Sequence, residues 1–240
     1  MENHEIFSNL ALYPPVFLRL DGRAFHRLTG TCEKPFDARF HAAMVGTCRR
    51  LIAESGLNPL CAYTFSDEIS LYLPVLPFGG RVEKLDSISA SYAASAFTLE
   101  YGCTEPVAFD ARIIPATPDY MLEYLAMRQA EAWRNHINAY CQAALMEEGL
   151  TPRAAAVRLL GMKAEDMHEM MFSRGVNLAE TPAWQRRGTL VRRGKYTKEG
   201  MNPMTGEKVT VERQGIVADG DLPLFSAPEG RAYLFSLIGA

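Results

Sequence analysis

Two β-rich runs, Cys61–Phe65 (CAYTF) and Ile69–Leu73 (ISLYL), are separated by only Ser66, Asp67 and Glu68. So short a connection turns the second run back alongside the first, which predicts a hairpin with acids at its tip. Upstream, VFLRL (Val16–Leu20) reads as another strand and stops at Asp21-Gly22, a pair that favours a turn. Between these strands Phe40, Met44, Val45, Cys48, Leu51 and Ile52 recur at helical spacing; Asp37 suits the N-cap and Gly56 ends the run. After Gly79-Gly80, a helical pattern from Arg81 to Glu100 (Leu85, Ile88, Tyr92, Ala96, Leu99) leads to a fourth strand, Val107–Pro115.

The order strand, helix, strand, strand, helix, strand is that of an α+β, ferredoxin-like βαββαβ core. In such a sheet the first and third elements of the order are expected to be neighbours, which brings Asp21 towards the hairpin tip. Further helices are expected over Tyr120–Glu148, over Thr151–Leu160 with Thr151-Pro152 as cap and first residue, and over Ala164–Phe172. The tail from about Thr189 reads as short strands and loops on the same body. With no linker or repeat, the 240 residues form one domain, a core at about 16–150 followed by C-terminal helices and a basic strand and loop extension at about 151–240.

Nearly half of the chain, 48%, is apolar and 22% is charged, the balance of a soluble globular protein. A formal net charge of −3 excludes a global basic field, so a nucleic-acid contact must come from a local patch. The five cysteines, Cys32, Cys48, Cys61, Cys103 and Cys141, show no CxxC spacing and read as reduced thiols. The N-terminus lacks a positive flank and a long apolar run, and no stretch of about 18 apolar residues occurs. The expectation is a cytoplasmic protein with no membrane partner.

Two carboxylates close together at strand ends repel one another unless a cation lies between them. Hard oxygen ligands of this kind suit magnesium, with water and substrate phosphates completing the shell. A pair of ions about 3.5–4 Å apart can activate an attacking hydroxyl and neutralise a leaving pyrophosphate in phosphoryl transfer. Asp21 and Asp67 would bridge two such ions, and Gly22, without a side chain, lets its carbonyl and a triphosphate approach. The same residues also fit an ordinary Asp-Gly turn and a solvated hairpin tip, and that alternative stands beside the metal site.

The runs RLDGRAFHRLT (Arg19–Thr29), KPFDARF (Lys34–Phe40) and YTFSDEISLYL resemble the tRNA-histidine guanylyltransferase family and its relatives, the 3′-to-5′ polymerases that repair tRNA 5′ ends. The resemblance continues through Arg81 and Lys84, SASYAASAF, FDARIIP, RQAEAWRNHIN, EDMHEMMF, GVNL and RRGTLV, and spans roughly residues 16 to 193. It implies a polymerase-palm sheet working with reverse polarity. A tRNA 5′-monophosphate is adenylylated by ATP, and the 3′-hydroxyl of GTP then attacks that phosphate or a 5′-triphosphate. Carried over, Asp21, the Gly22 carbonyl and Asp67 would hold two Mg2+ ions, with Glu68 beside them as a third catalytic acid. Arg23, Ala24, Phe25, His26, Lys34, Asp37 and Ser66 would line the nucleotide pocket, and Arg81 and Lys84 would grip a triphosphate. Family members typically assemble as homotetramers, which makes a homo-oligomer the expected state.

The chain departs from the family pattern in two places. Where the family often has HINNLYN directly after RQAD, His136, Ile137 and Asn138 fall several residues later, and Trp133 takes the place of the histidine. A lysine usual after the aspartate of a DKNE-like block is here Met167. These changes and the short chain look more like the archaeal and bacterial members, some of which repair truncated tRNAs against a template strand. In RRGTLVRRGKYTK, Arg186, Arg187, Arg192, Arg193, Lys195 and Lys198 are basic, no acid intervenes, and Tyr196 could stack on an unpaired base. The run equally fits a charged hairpin edge that blocks aggregation. A nucleotide cyclase or dinucleotide synthase built on the same acids, and a non-catalytic RNA-binding relative, remain the other functional readings.

Overall fold

The computed structural model describes residues 6–201 and 208–238. Six strands form one sheet in the order β4-β1-β3-β2-β5-β6, every neighbouring pair antiparallel. They are β1 (Val16–Gly22), β2 (Cys61–Phe65), β3 (Glu68–Leu73), β4 (Phe109–Pro115), β5 (Thr189–Met201) and β6 (Lys208–Asp219). The neighbour of β1 is β3, not β2 as the sequence reading has it. The hairpin tip still reaches Asp21, because β3 is the strand that leaves that tip.

Strand alternation sorts the core. On one face Val16, Leu18, Leu20, Ile69 and Leu71 pack with Met44, Leu51 and Ile52 of α2 (Ala38–Ala53) and Leu85 and Phe97 of α3 (Val82–Tyr101). Asp37 caps α2 by accepting the Phe40 N–H at 2.8 Å, as its position predicts. On the other face Phe17, Tyr63 and Tyr72 pack with Tyr124 and Leu125 of α4 (Pro118–Glu147) and with Leu234 of α8 (Pro228–Ile238). The far half of α4 leaves the sheet: Ile137, Cys141 and Leu145 form a separate cluster with α5 (Pro152–Leu159) and α6 (Ala164–Phe172). Met167 is buried in this cluster, where an apolar side chain fits and an ammonium would not.

The tail differs from expectation. Instead of short strands and loops it forms two strands of 13 and 12 residues and the helix α8. Only Thr189–Arg192 of β5 pairs with β2, so the rest of the β5–β6 ribbon extends past the sheet. Residues 202–207, part of the stretch read as loops, lie outside the described residues.

Candidate active site

The β2–β3 turn is two residues long, because Phe65 pairs directly with Glu68. Ser66 takes a left-handed φ of 49° to close it. The Gly22 N–H donates to the Asp67 carbonyl at 3.1 Å and ties the end of β1 to this turn. Asp21 and Asp67 are thereby brought together. The Asp21 carboxyl is held above the ordinary carboxylate range, first by burial and then by the negative charges of Asp67 and Asp110. Burial raises Asp67 as well. Among the described residues neither acid has an ion-pair partner. Two half-buried carboxylates with no cationic partner are a donor set that a hard divalent cation suits. No group of three or more His, Cys, Asp or Glu side chains is arranged to hold a metal among the described residues.

Glu68 does not join the pair as a third free acid. It is buried, and Arg128 of α4 donates to both its oxygens, Nε to Oε1 at 2.8 Å and Nη2 to Oε2 at 2.6 Å. Three arginines stand around these acids. Arg128 is one; the others are Arg19 and Arg112, directly opposed on β1 and β4 and two residues along from the opposed pair Asp21 and Asp110. Arg112 reaches back to Asp110 at 3.5 Å. Arg19, Asp110 and Arg112 lie in RLDGR and FDAR, but nothing local in either block marks them as site residues. Only the β1–β4 register brings the two blocks together.

Beside the turn lies a cavity of about 290 Å³ lined by Lys34, Asp37, Phe65, Ser66, Asn135 and Trp184. Trp184 belongs to α7 (Ala183–Arg187) and stacks on His41 at 4.1 Å. The loop carrying Lys34 and Asp37 is braced from within. Lys34 Nζ donates to the Thr29 carbonyl at 2.7 Å, and Asp37 accepts the Glu33 N–H at 3.0 Å. The Phe40 N–H bonded to Asp37 pulls its carboxyl below the usual range. Three residues assigned to the nucleotide pocket, Lys34, Asp37 and Ser66, thus share one cavity next to Asp67.

Others are placed elsewhere. Phe25 is 3% exposed and packs against Phe97 and Phe109 with centroids near 5 Å, so its ring is core. Its burial also gives Gly22 a second reason to be glycine: a Cβ there would meet the Phe25 ring at 2.5 Å. Gly22→Ala is expected to lower stability by about 1–3 kcal/mol through this overlap, measurable by urea denaturation. Arg23, Ala24 and His26 are exposed in the turn after β1 and at the start of α1 (His26–Thr29). Ala24 has a φ of 58°.

Arg81 and Lys84 do not reach the acids. Arg81 bridges to Ala11, and Val82 N–H donates to the Leu10 carbonyl, which puts the start of α3 where the chain enters β1. From Val16 to Asp21 the strand alone spans about 17 Å. Side-chain spacing suited these residues to successive phosphates, but they stand at the other end of the sheet.

His136 is a core histidine. It is fully buried, its Nε2 is 2.8 Å from Thr181 Oγ1, and Trp133 stacks on it at 5.2 Å. Burial, followed by the charge of Arg186, pushes its pKa down to about 4.

The basic run does not form one patch. Leu190 and Val191 already point to opposite faces of the sheet, and the alternation continues. Arg192 faces Tyr233 of α8, whereas Arg193 donates to the Ile52 carbonyl of α2 at 2.8 Å. Arg186 and Arg187 are bound to the carbonyls of Thr181 and Leu222 at 2.8 and 2.7 Å. Lys195 pairs with Glu212 at 2.7 Å. Tyr196 and Lys198 are exposed on the projecting part of β5.

Comparison with known proteins gives the class, a nucleotidyltransferase. Residues 1–117 match the family model described as tRNAHis guanylyltransferase, and residues 119–218 the model described as Thg1 C terminal domain. The tRNA(His) guanylyltransferase of Debaryomyces hansenii is 31% identical over 222 residues, covering 85% of this chain and 83% of its own. Among solved structures, a bacterial tRNA(His) guanylyltransferase (Thg1)-like protein in complex with ATP superposes with a TM-score of 0.77 at 25% identity, over 96% of this chain and 94% of that one. A bacterial Thg1-like protein in complex with GTP has the same fold, with a TM-score of 0.75 at 24% identity over 97% of this chain and 94% of that one. The chain belongs to the tRNA(His) guanylyltransferase family.

Proposed function

We propose that this chain adds a nucleotide, GTP favoured, to the 5′ end of tRNA in the 3′-to-5′ direction. The catalytic unit would be one domain over residues 1–240, with a ferredoxin-like core that serves as a polymerase palm. The observation that carries the reading is the meeting of Asp21 and Asp67 through the Gly22–Asp67 hydrogen bond, beside the cavity of Lys34, Asp37 and Ser66. Strand ends bearing unpaired carboxylates, and a cavity of nucleotide scale next to them, are what phosphoryl transfer to a nucleotide hydroxyl needs.

Asp21 and Asp67, with the Gly22 carbonyl, would hold two Mg2+ ions. When bound there, magnesium lowers the pKa of an attacking hydroxyl and neutralises charge on the departing phosphates. The chain's own residues do the rest. Lys34 and Ser66 orient the nucleotide, and Arg19 and Arg112 hold phosphates on the open sheet face. ATP first transfers AMP to the 5′-monophosphate, releasing pyrophosphate. The 3′-oxygen of GTP then bonds to the activated 5′-phosphorus as its bond to the AMP oxygen breaks, so AMP leaves and the hydroxyl proton passes to solvent. On a 5′-triphosphate, pyrophosphate leaves instead.

The RNA is proposed to lie along the projecting β5 ribbon at Lys195, Tyr196 and Lys198, where phosphate contact and stacking are both available. A homotetramer would allow one tRNA to cross more than one subunit. No helix among the described residues is long and apolar enough to cross a membrane.

Purified protein with magnesium, ATP and labelled GTP is expected to lengthen a tRNA lacking its 5′ nucleotide by one residue. Histidine tRNA and truncated tRNAs of other types, run side by side, separate guanylylation from general repair. Cyclic or dinucleotide products formed without tRNA would overturn the proposal in favour of a cyclase or synthase.

A further inference from the structure

Glu68 opens β3 directly opposite Asp21 of β1. Side chains opposed in this way share a face of the sheet, with Cβ atoms about 4.5–5.5 Å apart. A glutamate left free at this position could swing into the space between Asp21 and Asp67. It is not free. Arg128 takes both of its oxygens, and the Ser70 hydroxyl donates to Oε1 at 3.4 Å. Ser70 is itself 3.1 Å from the Tyr124 hydroxyl, and the guanidinium lies over the Phe65 ring at 5.3 Å from its centroid. The two charged side chains are only 17% and 10% exposed. A planar fork stacked on an aromatic ring and matched to the carboxylate, with the Ser70 hydroxyl on Oε1, permits one orientation of Glu68.

We infer, on the reading of Asp21 and Asp67 as a metal site, that Arg128 is a positioning residue: it draws Glu68 out of that site and limits it to two carboxylates. The number of charged ligands sets how tightly a divalent cation is held. Two carboxylates leave coordination positions for substrate phosphates, whereas a third would fill one of them and bind the ion more firmly. Arg128 lies four residues before Ala132 and seven before Asn135, both on the cavity wall, so the helix that restrains Glu68 also faces the nucleotide. Arg128 is not a phosphate ligand, because its guanidinium is taken up by Glu68.

Mn2+ binding to the purified full-length protein, followed by electron paramagnetic resonance of the free ion, tests this without reference to activity. Glu68→Gln is expected to bind Mn2+ within about twofold of wild type, and Arg128→Met, which releases Glu68, about tenfold more tightly. The double variant Arg128→Met/Glu68→Gln returns to wild-type affinity. A purely structural ion pair would not produce this rescue. A tenfold loss of Mn2+ affinity in Glu68→Gln, or no change in a folded Arg128→Met, overturns the inference. If Arg128→Met does not fold by circular dichroism, Glu68→Gln decides alone. Asp67→Asn is the control: if it also leaves Mn2+ binding unchanged, the acid pair is not a metal site and the functional reading fails instead.

Discussion

Asp67→Asn is expected to reduce nucleotide addition by about 10²–10³-fold or more while the protein remains folded and still binds tRNA. Asparagine keeps the shape of the turn and the Ser66 contact but removes the charge that attracts a cation. A primer-extension assay with 5′-truncated tRNA, paired with a filter-binding measurement, distinguishes lost chemistry from lost affinity. Removing the neighbouring charge has a stability consequence of opposite sign. Because burial and Asp67 hold the Asp21 carboxyl above its ordinary range, folding opposes its ionisation. That cost is absent at pH values below the unfolded pKa, where the group is protonated in both states, and is fully present above the raised folded pKa. Asp21→Asn at neutral pH, in chelator, is therefore expected to raise Tm. An unchanged or lower Tm would count against mutual repulsion in the metal-free protein.

Glu68→Ala is expected to cost about 3–5 kcal/mol, because it leaves the Arg128 guanidinium buried without its partner. Replacing both residues with methionine should recover most of that loss, since apolar groups of similar volume need no charge partner. Urea denaturation of the single and double variants checks both. A Glu68→Ala protein as stable as wild type would mean that water readily solvates Arg128.

The hairpin, the strand that ends at Asp21 and the capped helix α2 were legible in the sequence because each is specified locally. A two-residue turn between β-rich runs has few alternatives, and Asp37 stands where an N-cap must stand. What stayed hidden depended on contacts far along the chain. Glu68 and Arg128 are 60 residues apart, and nothing near Glu68 announces its partner. Arg19 and Arg112 become a pair only through the register of β1 against β4. Phe25 sits among site-like residues in the sequence, yet its ring turns inward once Gly22 gives it room. The basic run reads as one patch in the sequence because a string of letters carries no faces until strand alternation divides it. Arg81 and Lys84 fit a phosphate chain by spacing, but spacing along a helix does not say which end of a sheet the helix begins at.

The helix α4 links two parts of the molecule that share no other core cluster among the described residues. At 30 residues it is about 45 Å long. Its early turns lie on the sheet and carry Arg128; its later turns carry the cluster with α5 and α6. An unbroken rod held at both ends behaves as a gauge. Whatever rests on the outlying helices is kept at a set span from the acids, so a ligand long enough to touch both would be measured as well as bound.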